Sequence, residues 1–167
     1  TYNARNQVIQ EQNDVMRSRG EWIEFSYDVL GRPLGTTVQP SNTVAWQATY
    51  DLAGSPPVGW PQPSKTKGRL RSRTDSIWST YYTYDSFGRV TQETRVPSWD
   101  AGVPQQLPFN PHTTYSYSDN GNLRIVKYPH GREVEYLYGT TDGANDRPAE
   151  VKVKLWNGAA WVAQSVI

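Results

Sequence analysis

Two octamers govern this chain: Tyr27-Asp28-Val29-Leu30-Gly31-Arg32-Pro33-Leu34 and Tyr84-Asp85-Ser86-Phe87-Gly88-Arg89-Val90-Thr91. Both read Tyr-Asp-x-x-Gly-Arg followed by proline or an apolar residue. A self-similar sequence folds by repeating one small unit and stacking the copies, so a repeat architecture takes precedence over any single-core fold. Weaker copies fill the gaps at Tyr2-Asn3-Ala4-Arg5-Asn6-Gln7-Val8, Tyr50-Asp51-Leu52-Ala53-Gly54 and Tyr117-Ser118-Asp119-Asn120-Gly121-Asn122-Leu123. Gly68-Arg69-Leu70 lacks its tyrosine, and Tyr138-Gly139 lacks its turn. The shortest spacings, Gly68 to Gly88 and Tyr117 to Tyr138, set a unit of about 20 residues.

The residue types in the motif predict its local structure. Upstream of each turn the aromatics alternate, as in Phe25 and Tyr27, Tyr82 and Tyr84, Tyr115 and Tyr117, and Tyr136 and Tyr138. Residues two apart on a strand share a face, so each pair marks a strand. Asp28, Asp51 and Asp85 then supply a side-chain acceptor at the first turn position. Gly31, Gly54, Gly88 and Gly121 supply a residue tolerant of positive φ at the fourth, the chemistry of a type I turn closed by a glycine bulge. Arg32 and Arg89 open the return strand. Tyr128-Pro129-His130-Gly131 fits the turn at the opposite end of the unit, with proline second and glycine fourth. Each unit is thus two strands and two turns, joined to the next by backbone pairing and cross-strand tyrosines. The fold class is all-β: repetitive antiparallel hairpins forming a curved sheet or a segment of a β-shell.

Residues 1–150 read as the repeat sheet and 151–167 as a terminal hairpin of the same array, alternating around Asn157-Gly158. Two stretches, near 55–64 and 96–111, are too rich in proline for central strands and read as surface loops. No segment carries a clear helical pattern; the best candidate, Asn6 to Arg19, reads as the polar return of the first copy. The opening residues already belong to a repeat, as expected for a stretch cut from a longer array.

Composition narrows the function. Net charge is +1, from 17 Lys and Arg against 16 Asp and Glu, so no global field draws in nucleic acid or an anionic membrane. Cysteine is absent, which excludes disulfides, thiolate metal sites and a cysteine nucleophile. No apolar run approaches the roughly 20 residues of a membrane-spanning helix. His112 and His130 stand beside prolines in expected turns, a poor setting for a metal site or catalytic base. Gly68-Arg69-Leu70-Arg71-Ser72-Arg73 is the densest basic run, and alternation places its arginines on one solvated strand face. The three turn aspartates are each explained by turn capping, so none is singled out as a catalytic carboxylate, and no cofactor or metal is expected.

With these motifs placed, the chain resembles the Rhs/YD-repeat family, from Tyr2 to about Val151. That family includes bacterial Rhs proteins, the B and C components of insecticidal toxin complexes, wall-associated bacterial proteins and animal teneurins. The resemblance implies a strip of hairpins from a hollow shell, acting as a structural wall around a toxin or other cargo in a secreted or surface bacterial protein. The implied partners are the rest of its own shell, a further copy through the sheet edges, and an enclosed toxin domain. The Asp-Pro-x-Gly core motif that several members use for self-cleavage is missing, since no Asp-Pro pair occurs. The resemblance implies no enzymatic activity for this stretch. A second reading, a cell-surface adhesion or carbohydrate-binding module, rests on Trp60 and Trp99, which lie in the proline-rich inserts where exposed aromatics can contact a glycan or partner.

Overall fold

The computed structural model describes residues 1–51, 63–98, 112–139, 147–156 and 160–166. Its strands are β1 (Gln10–Glu11), β2 (Trp22–Tyr27), β3 (Pro33–Gln39), β4 (Thr43–Tyr50), β5 (Leu70–Asp75) and β6 (Trp78–Tyr84). They continue as β7 (Val90–Pro97), β8 (His112–Tyr117), β9 (Leu123–Lys127), β10 (Glu133–Leu137), β11 (Glu150–Trp156) and β12 (Trp161–Ser165). All twelve form one antiparallel sheet in strict chain order, an open meander with β1 at one edge and β12 at the other. The chain is all-β, as the motif spacing predicts.

A single layer gives two faces of different chemistry. Directly opposed residues share a face, so one face carries the row Phe25, Thr36, Trp46 and Asp75. The same face carries Ala48, Arg73, Thr80 and Arg95. Arginine lies over indole there, Arg73 over Trp46 at 5.0 Å and Arg95 over Trp78 at 4.8 Å. Further along, Tyr115, Val126, Val134 and Val153 line up across β8 to β11, and the three valines are buried.

The other face is dominated by hydroxyls and charges. Thr49 Oγ1 meets Ser72 Oγ at 2.7 Å, Thr74 Oγ1 meets Ser79 Oγ at 3.1 Å, and Thr94 Oγ1 meets His112 Nδ1 at 2.9 Å. Lys127, Glu133 and Lys154 form the next row, with buried Glu133 held between the two ammonium groups at 3.2 and 2.5 Å. Ser72, Ser79 and Thr94 are buried as fully as the valines. Cross-strand hydrogen bonds satisfy these hydroxyls, and Tyr81 and Val96 stand directly opposite them on the same face.

Several local expectations change. The segment from Asn6 to Arg19 contains a short helix, α1 (Asp14–Ser18), because Asn13 Oδ1 accepts the Met16 amide at 2.8 Å and caps it. Val96 and Pro97 belong to β7 and not to an insert: Pro97 ends the strand opposite Trp78, where a missing N–H costs no ladder bond further on. Val96 is 3% exposed. His112 opens β8 instead of sitting in a turn. Arg69, Arg71 and Arg73 do not share one solvated face, since a bulge after Leu70 breaks the alternation and leaves Arg71 buried. The remainder of both proline-rich stretches, 55–62 and 99–111, lies outside the described residues.

Candidate functional site

The feature the fold repeats is its line of motif turns at one end of the strands. Asp28 Oδ1 accepts the Leu30 and Arg32 amides at 2.9 and 2.8 Å, and Asp28 Oδ2 accepts Arg32 Nε at 2.6 Å. Asp85 repeats this with Phe87, Arg89 and the Arg89 guanidinium at 2.9, 2.9 and 2.6 Å. The backbone closes identically, with the Asp28 amide on Arg32 O and the Gly31 amide on Asp28 O, and the Asp85 amide on Arg89 O and the Gly88 amide on Asp85 O. Gly31 and Gly88 adopt φ of +85° and +87°, which side chains with a Cβ resist. One extra residue follows on each return strand, Leu34 and Thr91, because Tyr27 opposes Pro33 while Ser26 opposes Gly35, and Tyr84 opposes Val90 while Thr83 opposes Gln92.

Neutral substitutes occupy the same geometry elsewhere. Asn3 Oδ1 accepts the Arg5 and Gln7 amides at 2.9 and 3.0 Å, and Asn3 Nδ2 donates to Gln7 Oε1 at 2.9 Å, so an amide pair stands where Asp and Arg stand later. Ser118 takes the aspartate place before Gly121, its Oγ accepting the Asn122 amide at 3.2 Å. Gly131, at φ +81°, closes the turn at the opposite end of β9 and β10, with its amide on Tyr128 O.

The motif tyrosines bind one repeat to the one before it. Tyr27 donates its hydroxyl to Val8 O at 2.8 Å, Tyr50 to Pro33 O at 3.0 Å, Tyr84 to Leu70 O at 2.6 Å, Tyr117 to Val90 O at 2.8 Å and Tyr138 to Leu123 O at 2.9 Å. Every acceptor follows the Arg position of the preceding turn, or its Gln or Asn stand-in. That arginine lies over the arriving ring: Arg32 over Tyr50 at 4.3 Å, Arg69 over Tyr84 at 5.6 Å and Arg89 over Tyr117 at 4.4 Å. Tyr136, two residues before Tyr138, opposes Val151 in the β10–β11 ladder.

Asp51 departs from the expected copy. Gly54 lies outside the described residues, and the fourth turn position beside Tyr50-Asp51 is filled by Gly68, whose amide donates to Asp51 Oδ1 at 2.5 Å. The Asp51 amide donates to Arg69 O, the closure seen in the intact motifs. Asp51 Oδ2 also accepts Arg32 Nη2 at 2.8 Å, so Arg32 joins two turns.

This electrostatics is structural in kind. Burial pushes the Asp28 and Asp85 carboxyls up, but the amide and guanidinium donors of Arg32 and Arg89 outweigh it and hold both below the ordinary value of 3.8. For Asp51 the Arg32 guanidinium is the leading cause of a lowered value, followed by the Gly68 amide. Carboxylates so bound hold no proton at neutral pH, which leaves them unsuited to general-acid work. Burial lowers His112 from 6.5, keeping it neutral on its Thr94 partner. No group of three or more His, Cys, Asp or Glu side chains fit to hold a metal ion occurs among the described residues. No helix among them is long and apolar enough to cross a membrane. Trp60 and Trp99 lie outside the described residues.

The fold has a counterpart among solved structures. The chain is similar to a stretch of TcdB2-TccC3. In the crystal structure of TcdB2-TccC3-Cdc42 the match has a TM-score of 0.60 at 14% identity and covers 88% of this chain. The chain spans 7% of that neighbour's length. The crystal structure of TcdB2-TccC3-TEV is matched over 99% of this chain and 11% of the neighbour at 13% identity, with a TM-score of 0.27. No family model and no curated protein matches the sequence.

Sequence reasoning located the turns but missed what links them. The arginine-over-tyrosine stack and the hydroxyl bond to the preceding carbonyl cross about 20 residues of sequence, where no local spacing signals them. The pairing of Tyr50-Asp51 with Gly68-Arg69 was legible in principle, because those two half-motifs complete each other.

Proposed function

We propose that this chain is a wall segment of an Rhs/YD-repeat shell, a sheet whose role is to enclose cargo in a larger parent protein. One observation carries the reading: each described motif turn holds the next through a Tyr-to-carbonyl bond, with arginine over the ring at Tyr50, Tyr84 and Tyr117, in a meander open at both edges. Such a ladder adds hairpins indefinitely and has no internal reason to stop. The repeat sequence and the fold likeness to a stretch of TcdB2-TccC3 support it. The function is steric: a hydrogen-bonded barrier between an inside and an outside, with no catalytic group of its own. Its partners are the neighbouring repeats of the parent, which is secreted or surface-exposed.

Edge exchange tests this reading. Val166 donates its amide to Val151 O, so by alternation the amide of Ala163 points away from β11. Hydrogen exchange should be fast at this amide in dilute solution and slow in a chain extended by the parent's next repeat. Equal exchange in both would remove the wall reading, because the next repeat would then not pair with β12.

A further inference from the structure

We infer that Leu52–Lys65 is an insertion into the tip of an otherwise complete repeat, and that the pairing of β4 with β5 does not depend on it. Tyr50-Asp51 and Thr66-Lys67-Gly68-Arg69-Leu70 are separated in sequence, yet together they read Tyr-Asp-Thr-Lys-Gly-Arg-Leu, a full copy of the motif. The structure assembles them as one turn. Tyr50 opposes Leu70 as Tyr27 opposes Pro33 and Tyr84 opposes Val90. Arg71 is the extra residue on the return strand, the place held by Leu34 and Thr91, since Thr49 opposes Ser72. Gly68 has φ +75°, beside +85° and +87° in the intact copies.

The neighbouring repeats treat this split turn as whole. Arg32 of the preceding turn reaches Asp51 at 2.8 Å, and Tyr84 of the following repeat donates to Leu70 O at 2.6 Å. The two ends of the insertion meet, with Thr66 Oγ1 donating to Asp51 O at 2.5 Å. Joining Asp51 directly to Thr66 therefore asks for a local change of backbone and leaves the strands where they are. The two positions between Asp and Gly are the acceptor site for added chain: they are the tip of the turn, and the side chains there in the intact copies, Val29, Leu30 and Phe87, are largely exposed. The end of the insertion next to Thr66 touches the sheet through its backbone, Ser64 O accepting the Tyr84 amide at 3.2 Å and Lys65 O accepting Arg69 Nη1 at 2.9 Å, so the rejoined turn gives up these two bonds.

The test is the 167-residue chain with Leu52–Lys65 deleted, compared with the parent chain by far-UV circular dichroism, thermal midpoint and hydrogen exchange of β4 and β5. The expected result is an unchanged β signal, full β4–β5 protection and a midpoint within about 5 °C of the parent's, the shorter loop offsetting the two bonds lost at Ser64 and Lys65. A midpoint lowered by more than about 5 °C, or loss of β4–β5 protection, overturns the inference. A second chain replaces Leu52–Lys65 by an equally long Gly/Ser linker; if it folds while the deletion does not, length is essential and the inference also fails. Adding Gly68→Ala to the deleted chain should lower its midpoint by the backbone strain of a Cβ at φ +75°, less than Gly88→Ala costs the parent, because Gly68 meets nothing within 4 Å while a Cβ at Gly88 meets Arg69. A silent Gly68→Ala would mean that the rejoined turn is not the motif turn.

Discussion

Replacing Tyr84 by Phe isolates the bond that carries one repeat to the next. The Tyr84 hydroxyl donates to Leu70 O at 2.6 Å and the residue is 9% exposed. Phe keeps the ring beneath the Arg69 guanidinium, whose centre lies 5.6 Å from the ring centroid, so only the hydroxyl is lost. A buried acceptor deprived of its donor costs about 1–2 kcal/mol, which for a chain of this size lowers the thermal midpoint by about 2–8 °C. Tyr50→Phe should cost less, because its bond to Pro33 O is exposed and water replaces the donor. Tyr2 is 66% exposed, so Tyr2→Phe serves as the control and should stay within about 0.5 kcal/mol of the parent. Urea unfolding of the three variants, with equal slopes, reads the differences directly. If Tyr84→Phe were as mild as Tyr2→Phe, the hydroxyl would not couple the repeats and the ladder would be mere juxtaposition.

Other perturbations follow from the same geometry. Gly88→Ala places a Cβ at φ +87° and 2.5 Å from Arg69 Nη2, so it should cost more than about 1 kcal/mol in urea unfolding; Gly20→Ala meets nothing nearby and should cost only its backbone strain. Folded Asp28, Asp51 and Asp85 lie below the ordinary 3.8. Their contribution is therefore complete above that pH and is lost as pH falls through the lower folded values. Asp85→Asn with Arg89→Gln, copying Asn3 and Gln7, should flatten the acid limb of a midpoint-against-pH curve while keeping the β signal. Burial, with Glu93 nearby, raises Tyr115 to about 12. Its stabilising effect is present below pH 10 and is lost between 10 and about 12, so ultraviolet titration should show a late phenol phase, to which the burial-raised Tyr81, Tyr82 and Tyr84 also contribute, that Tyr115→Phe reduces.

Much of this fold is written in local sequence. Asp-x-x-Gly encodes its turn within four residues, because the acceptor, the amides it binds and the left-handed glycine are all neighbours. The strands likewise declare themselves through paired aromatics two apart. What stayed hidden depends on distance. A single extra residue at Arg71 undoes the alternation that placed three arginines on one face, and nothing in the run Arg69 to Arg73 marks it. The union of Asp51 with Gly68 requires knowing that the chain returns to the same spot after the insertion. Gly54, a plausible glycine at the right offset, offered a nearer partner in sequence than the one the fold uses. The hydroxyl rows of the second face, such as Thr49 with Ser72, become visible only once strand register is fixed.

The most direct test of the wall reading is molar mass by light scattering across a dilution series, for the parent chain and for Ala163→Pro. Proline at 163 removes an amide that faces the open edge and leaves the bonds to β11 in place. The expected result is a β-rich parent whose mass rises with concentration and an Ala163→Pro chain whose rise is markedly reduced. A parent that stays monomeric at every concentration, matching Ala163→Pro, would contradict an open wall segment and point to a sheet complete in itself.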